Sequence, residues 1–425
     1  MLTNQWTLWQ KIAFRFFFLF LSLQVLTENF LGNLFGDILF AWKLGEKVFV
    51  QPCLWLNNHF FHFKYIPQSW TTFSGSLHTI RDTIYFLFAC LGCITWTIFD
   101  KKRNDYNKLH YWFSQFLITG LSCVVFFYGV IKVFPIQMSS PSVVNLYRPV
   151  GDLSPFELIW ATFGYGKPYQ VFSGLFEVAG AIFILFIRTR VVGLLIIISV
   201  MLNVIMLNYT YQIGVLITSF YILLMTLFLL APYARQLIRF FFTKQPTVLF
   251  SNKYTPSTKW FRLILFLLIG TSFFVSTRNA YNRYARAEHV NQSRQYYLVK
   301  KHIIDNDTLK FIENDPGCWR LWSERIVDGK GYVTIATMKP GATKTYQLDR
   351  DTLKHILILH PSNQPDTTSL NFTYSDIDNS NWELQGIIRE KNVRMELQHI
   401  RPDTTLNLLK TRRTIIIFDD ESDNQ

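Results

Sequence analysis

A carboxylate in the middle of an apolar run is the residue of this sequence best placed to do chemistry. Glu177 sits near the centre of Pro168–Phe186, a stretch dominated by Phe, Val, Leu, Ile, Ala and Gly. A charge at that depth in a bilayer costs about 2.5–3.5 kcal/mol on insertion scales, so such residues face a protein interior and take a partner. Gly174 precedes it by three residues and Gly180 follows it by three. At helical spacing both share its face, and their missing side chains let a second helix come close. Two readings stay open for Glu177: hydrogen-bonded glue between helices, or a proton-relay or ligand-binding group.

Three further polar side chains lie at comparable depth or toward the same leaflet, and a fourth lies in a loop near the outer mouth of the expected pocket. Lys132 is one turn from the end of an apolar run, where it either extends to the headgroups or turns inward toward Glu177. Asn203 and Asn208 lie in the latter half of another run, where interhelical hydrogen bonding is the default role. Arg148 lies in the loop Pro135–Lys167, which is too long for a plain hairpin between helices. Its guanidinium offers a fork to an anionic group or a brace for its own loop. Lys132, Arg148, Glu177, Asn203 and Asn208 are therefore the candidate binding pocket. Cys90-Leu91-Gly92-Cys93 has CxxC spacing, but inside an apolar run it reads as small packing residues. His59 and His62, three apart, have no carboxylate pattern beside them, so no metal site is assigned. No catalytic residue is assigned either.

These residues are positioned by apolar segments. A bilayer core takes about 20 apolar residues in helix, and seven segments qualify: about 11–28, 79–99, 112–135, 168–187, 190–210, 212–232 and 258–277. Positive charge fixes their direction. Lys101, Lys102, Arg103 and Lys108 follow the second segment, Arg188 and Arg190 the fourth, and Arg235, Arg239, Lys244, Lys253, Lys259 and Arg262 the sixth. These loops alternate, so all three are expected in the cytoplasm with the N-terminus. Arg278, Arg283 and Arg286, beyond the seventh segment, run against that assignment. Asn33–Leu56 mixes Asp37, Lys43, Glu46 and Lys47 with aromatics and reads as an amphipathic interfacial helix.

From about Gln295 the pattern shifts to short alternating runs, expected as strands: Tyr296–Lys300, Arg320–Arg325, Gly331–Met338, Thr343–Leu348, His355–Leu359, Ser369–Tyr374, Trp382–Ile387, Val393–His399 and Leu406–Lys410. Turn signals such as Asp328-Gly329 and Pro340-Gly341 separate them. Nearly even spacing predicts a sandwich or an up-and-down barrel with a lipocalin-type meander. Such a barrel either holds a small apolar ligand or is filled by its own side chains. The acidic tail Asp419–Gln425 reads as disordered.

Composition agrees with this division. Of 425 residues, 50% are hydrophobic, 17% aromatic and only 17% charged, below the quarter usual in soluble chains. The net charge of +13 is explained by loop lysines and arginines, which excludes a nucleic-acid reading. Five scattered cysteines imply no disulfide framework. The expected domains are 1–111 (two spans and the interfacial helix), 112–235 (a four-helix membrane unit), 236–293 (loop, seventh span and linker), 294–418 (an extracytoplasmic β domain) and the tail 419–425.

The middle of the chain resembles the DoxX family. The resemblance rests on Phe127-Tyr128-Gly129-Val130-Ile131-Lys132-Val133-Phe134-Pro135, on Phe172-Ser173-Gly174-Leu175-Phe176-Glu177-Val178-Ala179-Gly180, and on Val200-Met201-Leu202-Asn203-Val204. It covers about residues 112–235. It implies a four-helix bundle in a bacterial inner membrane and a redox-associated or small-molecule-handling subunit. A redox partner protein or a small hydrophobic ligand such as a quinone fits that role, although no haem, flavin or quinone motif is present. The alternative is a non-catalytic envelope protein whose β domain binds a lipid or a partner protein.

Overall fold

A segment that crosses hydrocarbon must be long, apolar and internally hydrogen-bonded, and the first two thirds of this chain meet those demands repeatedly. The computed structural model describes residues 5–27, 52–63, 75–243, 259–309, 315, 317–339, 342–362, 369–378, 380–402 and 406. Its principal helices are α1 (Leu8–Thr27), α2 (Gly75–Phe99), α3 (Asn107–Val133), α4 (Pro155–Tyr165), α5 (Lys167–Phe183), α6 (Arg190–Thr210), α7 (Leu216–Leu230) and α8 (Lys259–Gln292). Among the described residues six stretches are long and apolar enough to span a membrane: Leu8–Leu26, Thr79–Phe99, Asn107–Val133, Arg190–Thr210, Leu216–Thr243 and Leu263–Gln292.

All seven expected segments form helices, and the fourth of them, α5, lies at the short end of what spans a bilayer. That helix has 17 residues, about 26 Å at 1.5 Å per residue against about 30 Å of hydrocarbon. It stops because the following residues form a turn that satisfies its last carbonyls from outside. Thr189 Oγ1 donates to Phe183 O at 2.9 Å, and Arg190 Nε donates to Ile184 O at 3.0 Å. The last span differs in the other direction. Helix α8 runs 34 residues to Gln292, so Arg278, Arg283 and Arg286 lie on a continuous helix rather than in a linker. The expected interfacial helix falls outside the described residues as far as Gln51, as do most of the strand expected at Leu406–Lys410 and all of the tail.

The chain forms two compact units. The first comprises Met1–Ser140 and Pro155–Tyr284, the second Pro141–Ser154 and Ala285–Gln425. Within the first, α3 is the central element. It buries Leu117, Leu121, Val125 and Val130 among Ala181, Leu194, Met201 and Ile222. Its crossing with α5 is made by two glycines. A Cβ on Gly174 would lie 2.6 Å from Gly129 O and 2.8 Å from Lys132 Cβ, and one on Gly129 would lie 2.9 Å from Gly174 O. Any side chain at either position would push the backbones apart.

The second unit is a closed antiparallel barrel of eight strands. The ring strands are β1 (Gln295–Ile304), β3 (Trp319–Val327), β4 (Lys330–Thr337), β5 (Thr343–Asp351), β6 (Ile356–Pro361), β7 (Leu370–Asp376), β8 (Asn381–Ile388) and β9 (Lys391–Ile400), and the two-residue β2 (Asp307–Thr308) pairs with the end of β1 alone. From β3 onward each strand pairs with its sequence neighbour. Strand β1 closes the ring, pairing with β3 from Gln295↔Glu324 and with β9 from Tyr296↔Ile400 to Ile304↔Val393. The tight turns use positive φ, at Asp328 (51°) and Gly329 (77°) and again at Arg389 (51°) and Glu390 (66°). Inward-facing Trp319, Trp322, Val333, Ile335, Leu359, Phe372 and Leu397 fill the interior. The segment 141–154 packs on the outside of this barrel: Val143 joins Leu321, Ala336 and Ile400 in one buried cluster, and the Arg320 guanidinium lies 5.8 Å from the Tyr147 ring centre.

Candidate functional site

The Gly129–Gly174 crossing sets the site, because each glycine stands one turn before a charged residue on its own helix. Lys132 follows Gly129 by three residues and Glu177 follows Gly174 by three. With the backbones touching, the two side chains meet: Lys132 Nζ donates to Glu177 Oε1. Both are buried, Lys132 at 6% and Glu177 at 1% exposure. In low dielectric an unpaired charge is costly, so each residue accounts for the presence of the other. One atom is left over. Glu177 Oε2 is buried and has no hydrogen-bond partner among the described residues.

Glu177 is one of the residues that line a cavity of about 80 Å³. A single water needs roughly 10–15 Å³ of such space, so the cavity has room for several waters or a small organic group. Lys132 and Tyr128 of α3, Glu177, Ser173, Gln170 and Tyr169 of α5, Asn203 and Asn208 of α6, and Thr218 and Ser219 of α7 line it, with Trp160 and Phe163 of α4 closing one side. Most of the lining surface is apolar, with polar groups from α3, α5, α6 and α7 set into it, which is the usual character of a small-molecule site. Gln137, in the connection after α3, also lines the cavity and carries a second buried acceptor without a partner, Oε1.

Two lining residues hold the walls in place. The Gln170 amide bridges the Met138 peptide, with Oε1 accepting from Met138 N at 3.3 Å and Nε2 donating to Met138 O at 3.1 Å. The turn beside Gln137 is thereby fixed to α5. Asn208 Nδ2 donates to Ser219 Oγ at 3.1 Å, tying the end of α6 to the start of α7. Gly164 permits close approach on the α4 side, where a Cβ would lie 2.0 Å from Ser139 O.

Of the five residues expected to form the pocket, four line this cavity. Glu177, Lys132 and Asn208 are buried, whereas Asn203 is an exposed residue contributing from α6. Arg148 is not among the lining residues. It belongs to the segment Pro141–Ser154 and braces its own loop, donating from Nη2 to Asp152 O at 2.6 Å. Sequence reasoning overlooked Gln170 and Ser173. Their signal was present: residues 170, 173, 174 and 177 follow the i, i+3, i+4, i+7 rule of one helix face. It also overlooked Arg15 in the first span. Arg15 is 2% exposed and fully engaged, donating to Tyr106 Oη, Thr97 Oγ1 and Asp100 O, each at 2.9 Å. That arrangement is structural: it ties α1 to the junction of α2 and α3. Cys90 and Cys93 are free thiols on α2, and Cys93 Sγ points at Ile12 O from 3.5 Å. His59 Nδ1 lies 2.8 Å from Trp55 O, a local backbone contact.

No family model matches the chain, and no solved structure does. Over 75 residues, 18% of the chain, it is 35% identical to the uncharacterized protein YwoB of Bacillus subtilis (strain 168). The match takes in 49% of that protein, so the chain spans about half the length of the curated relative it matches.

Proposed function

We propose that this protein is a small-molecule-handling membrane subunit whose four-helix region, residues 112–235, binds a compact ligand at the Glu177–Lys132 pair. One observation carries the reading: a carboxylate buried in a helical bundle lines a cavity and keeps one oxygen without a partner among the described residues. Leaving a buried acceptor unpaired costs about 1–3 kcal/mol, more for a charged group. A molecule that donates to Glu177 Oε2 and Gln137 Oε1 recovers that loss. Because Lys132 already balances the carboxylate, the fitting ligand is neutral, with one or two O–H or N–H donors and an apolar or aromatic body against Trp160, Phe163 and Tyr169. The resemblance to DoxX proteins supports a redox association, and a hydroquinone has the required donors. The alternative of a lipid-binding barrel has less support, because Trp319, Trp322 and Phe372 occupy the barrel interior.

The topology we propose places the N-terminus in the cytoplasm and the β domain outside a bacterial inner membrane. The alternating basic loops support it. So does the packing of segment 141–154 on the barrel, which requires that loop and the β domain to share one side. Alkaline phosphatase fused after Asp349 should be active and a cytoplasmic reporter silent. For the site, the protein purified in mild detergent should release a donor-bearing organic molecule on solvent extraction, with its absorption lost from the spectrum. The Glu177→Gln protein should fold and release much less of it. Equal recovery from wild type and Glu177→Gln would refute the assignment.

A further inference from the structure

The opposite end of α3 borders a second, larger cavity of about 560 Å³, inside the roughly 300–1,000 Å³ range of ligand sites. Its walls are Ile118 of α3, Leu185 after α5, and Phe266 and Ile269 of α8, all on or beside spanning helices. Arg188, from the turn after α5, and Arg190, the first residue of α6, line the same space. Arg190 is buried at 8% exposure, and its Nε is held by Ile184 O at 3.0 Å. Arg188 is exposed. Neither has an ion-pair partner among the described residues, and no carboxylate is among the described residues lining the cavity. Two positive charges therefore stand at one end of an apolar groove with no carboxylate partner among the described residues.

We infer that this groove is a binding site for an anionic phospholipid, with the phosphodiester on Arg188 and Arg190 and an acyl chain along Ile118, Phe266 and Ile269. The pattern is the one expected where headgroup chemistry meets hydrocarbon: basic side chains between helix ends, and apolar walls running away from them. The guanidinium fork matches phosphate oxygens better than an ammonium would. A free anion would satisfy the arginines but leave the apolar groove empty, so the two halves of the site together select a lipid. The site is independent of the Glu177 cavity.

The test uses the full chain in dodecyl maltoside, titrated with phosphatidylglycerol, phosphatidylcholine of the same chains, or inorganic phosphate, with melting temperature as readout. Phosphatidylglycerol should raise the melting temperature and the other two should not. Each arginine replaced by Gln should weaken the apparent phosphatidylglycerol affinity about fivefold. Arg190 has a structural hydrogen bond, so if Arg190→Gln fails to fold, Arg188→Glu decides: its side chain is exposed, and reversing its charge should abolish the preference for the anionic lipid. Equal shifts with phosphatidylcholine, the full shift with inorganic phosphate alone, or an unaltered preference in Arg188→Glu would each overturn the inference.

Discussion

Replacing Lys132 by Met tests the energetics of the buried pair directly. The change leaves Glu177 at 1% exposure with one oxygen already unpartnered and removes the group that satisfied the other. Breaking one partner of a buried pair costs about 3–5 kcal/mol. Melting temperature falls by roughly 2–4 °C per kcal/mol for 150–250 residues, with larger units at the low end. The helical unit is larger than that, so Lys132→Met should melt about 6–10 °C lower. Glu177→Met should cost less, because the lysine stands in the last turn of α3 and its flexible stem can carry the ammonium toward water. The double variant Lys132→Met/Glu177→Met removes both charges and fills their space with side chains of similar volume. Such replacements are commonly neutral or stabilising, so the double variant should melt near wild type. The coupling is read by a double-mutant cycle on detergent-solubilised full chain. If the double variant loses as much as the two singles added together, the pair is adjacent without being coupled, and the argument that each charge accounts for the other fails.

Two further outcomes concern the barrel. Glu390 sits at φ 66° in the two-residue turn between β8 and β9, a conformation that costs a side-chain-bearing residue about 1–2 kcal/mol. Glu390→Gly relieves that strain at the expense of a more flexible unfolded chain, so a net gain of about 1 kcal/mol is expected in thermal or chemical unfolding; a loss would refute the strain reading. His302 is buried in the barrel, with Nδ1 accepting from Trp319 N at 3.4 Å, and burial lowers its pKa below the usual 6.5 while Asp315 opposes the shift. The folded state therefore binds fewer protons at this site than the unfolded state. The stability it contributes is present above about pH 6.5 and is lost as pH falls through the folded value. Near-ultraviolet circular dichroism melts from pH 7.5 to 5 should show this acid limb flattened in His302→Gln; an unchanged limb would assign it to other groups.

The parts of this protein that were readable from sequence are those where solvent leaves few choices. Hydrocarbon tolerates neither a lone charge nor loose backbone, so the depth of Glu177 made Lys132 one expected partner, with the headgroups the other destination for that lysine; the two side chains are hydrogen-bonded. Strand alternation located the eight barrel strands because one face of each is buried and the other is wet. What escaped was set by local competition. Whether residues 184–187 continue a helix or turn depends on Thr189 and Arg190 taking its carbonyls, and apolar content is the same either way. The Arg389-Glu390 turn has no Gly or Asn to announce it, since closure of the barrel imposes a conformation that neither residue favours. Arg15 was passed over because its three acceptors come from sequence positions 82 to 91 residues away.

Closure of the barrel through β1 and β9 has a consequence for how the domain comes into being. The pair Tyr296↔Ile400 joins residues about a hundred positions apart, while the seams from β3 to β9 join neighbours in sequence and the β1–β3 seam skips only the two-residue β2. Hairpins β3–β4 through β8–β9 can each form as soon as their two strands exist. Strand β1 keeps one open edge until β9 has been made, and an open edge with alternating apolar residues is a template for pairing with another chain. The long seam is also the kinetically slow one, since its loop-closure entropy must be met before any contact there is made. An early stop anywhere between Ile304 and Lys391 thus leaves two adhesive edges in place of a smaller stable domain, and the ring is completed as a whole or exposed to aggregation.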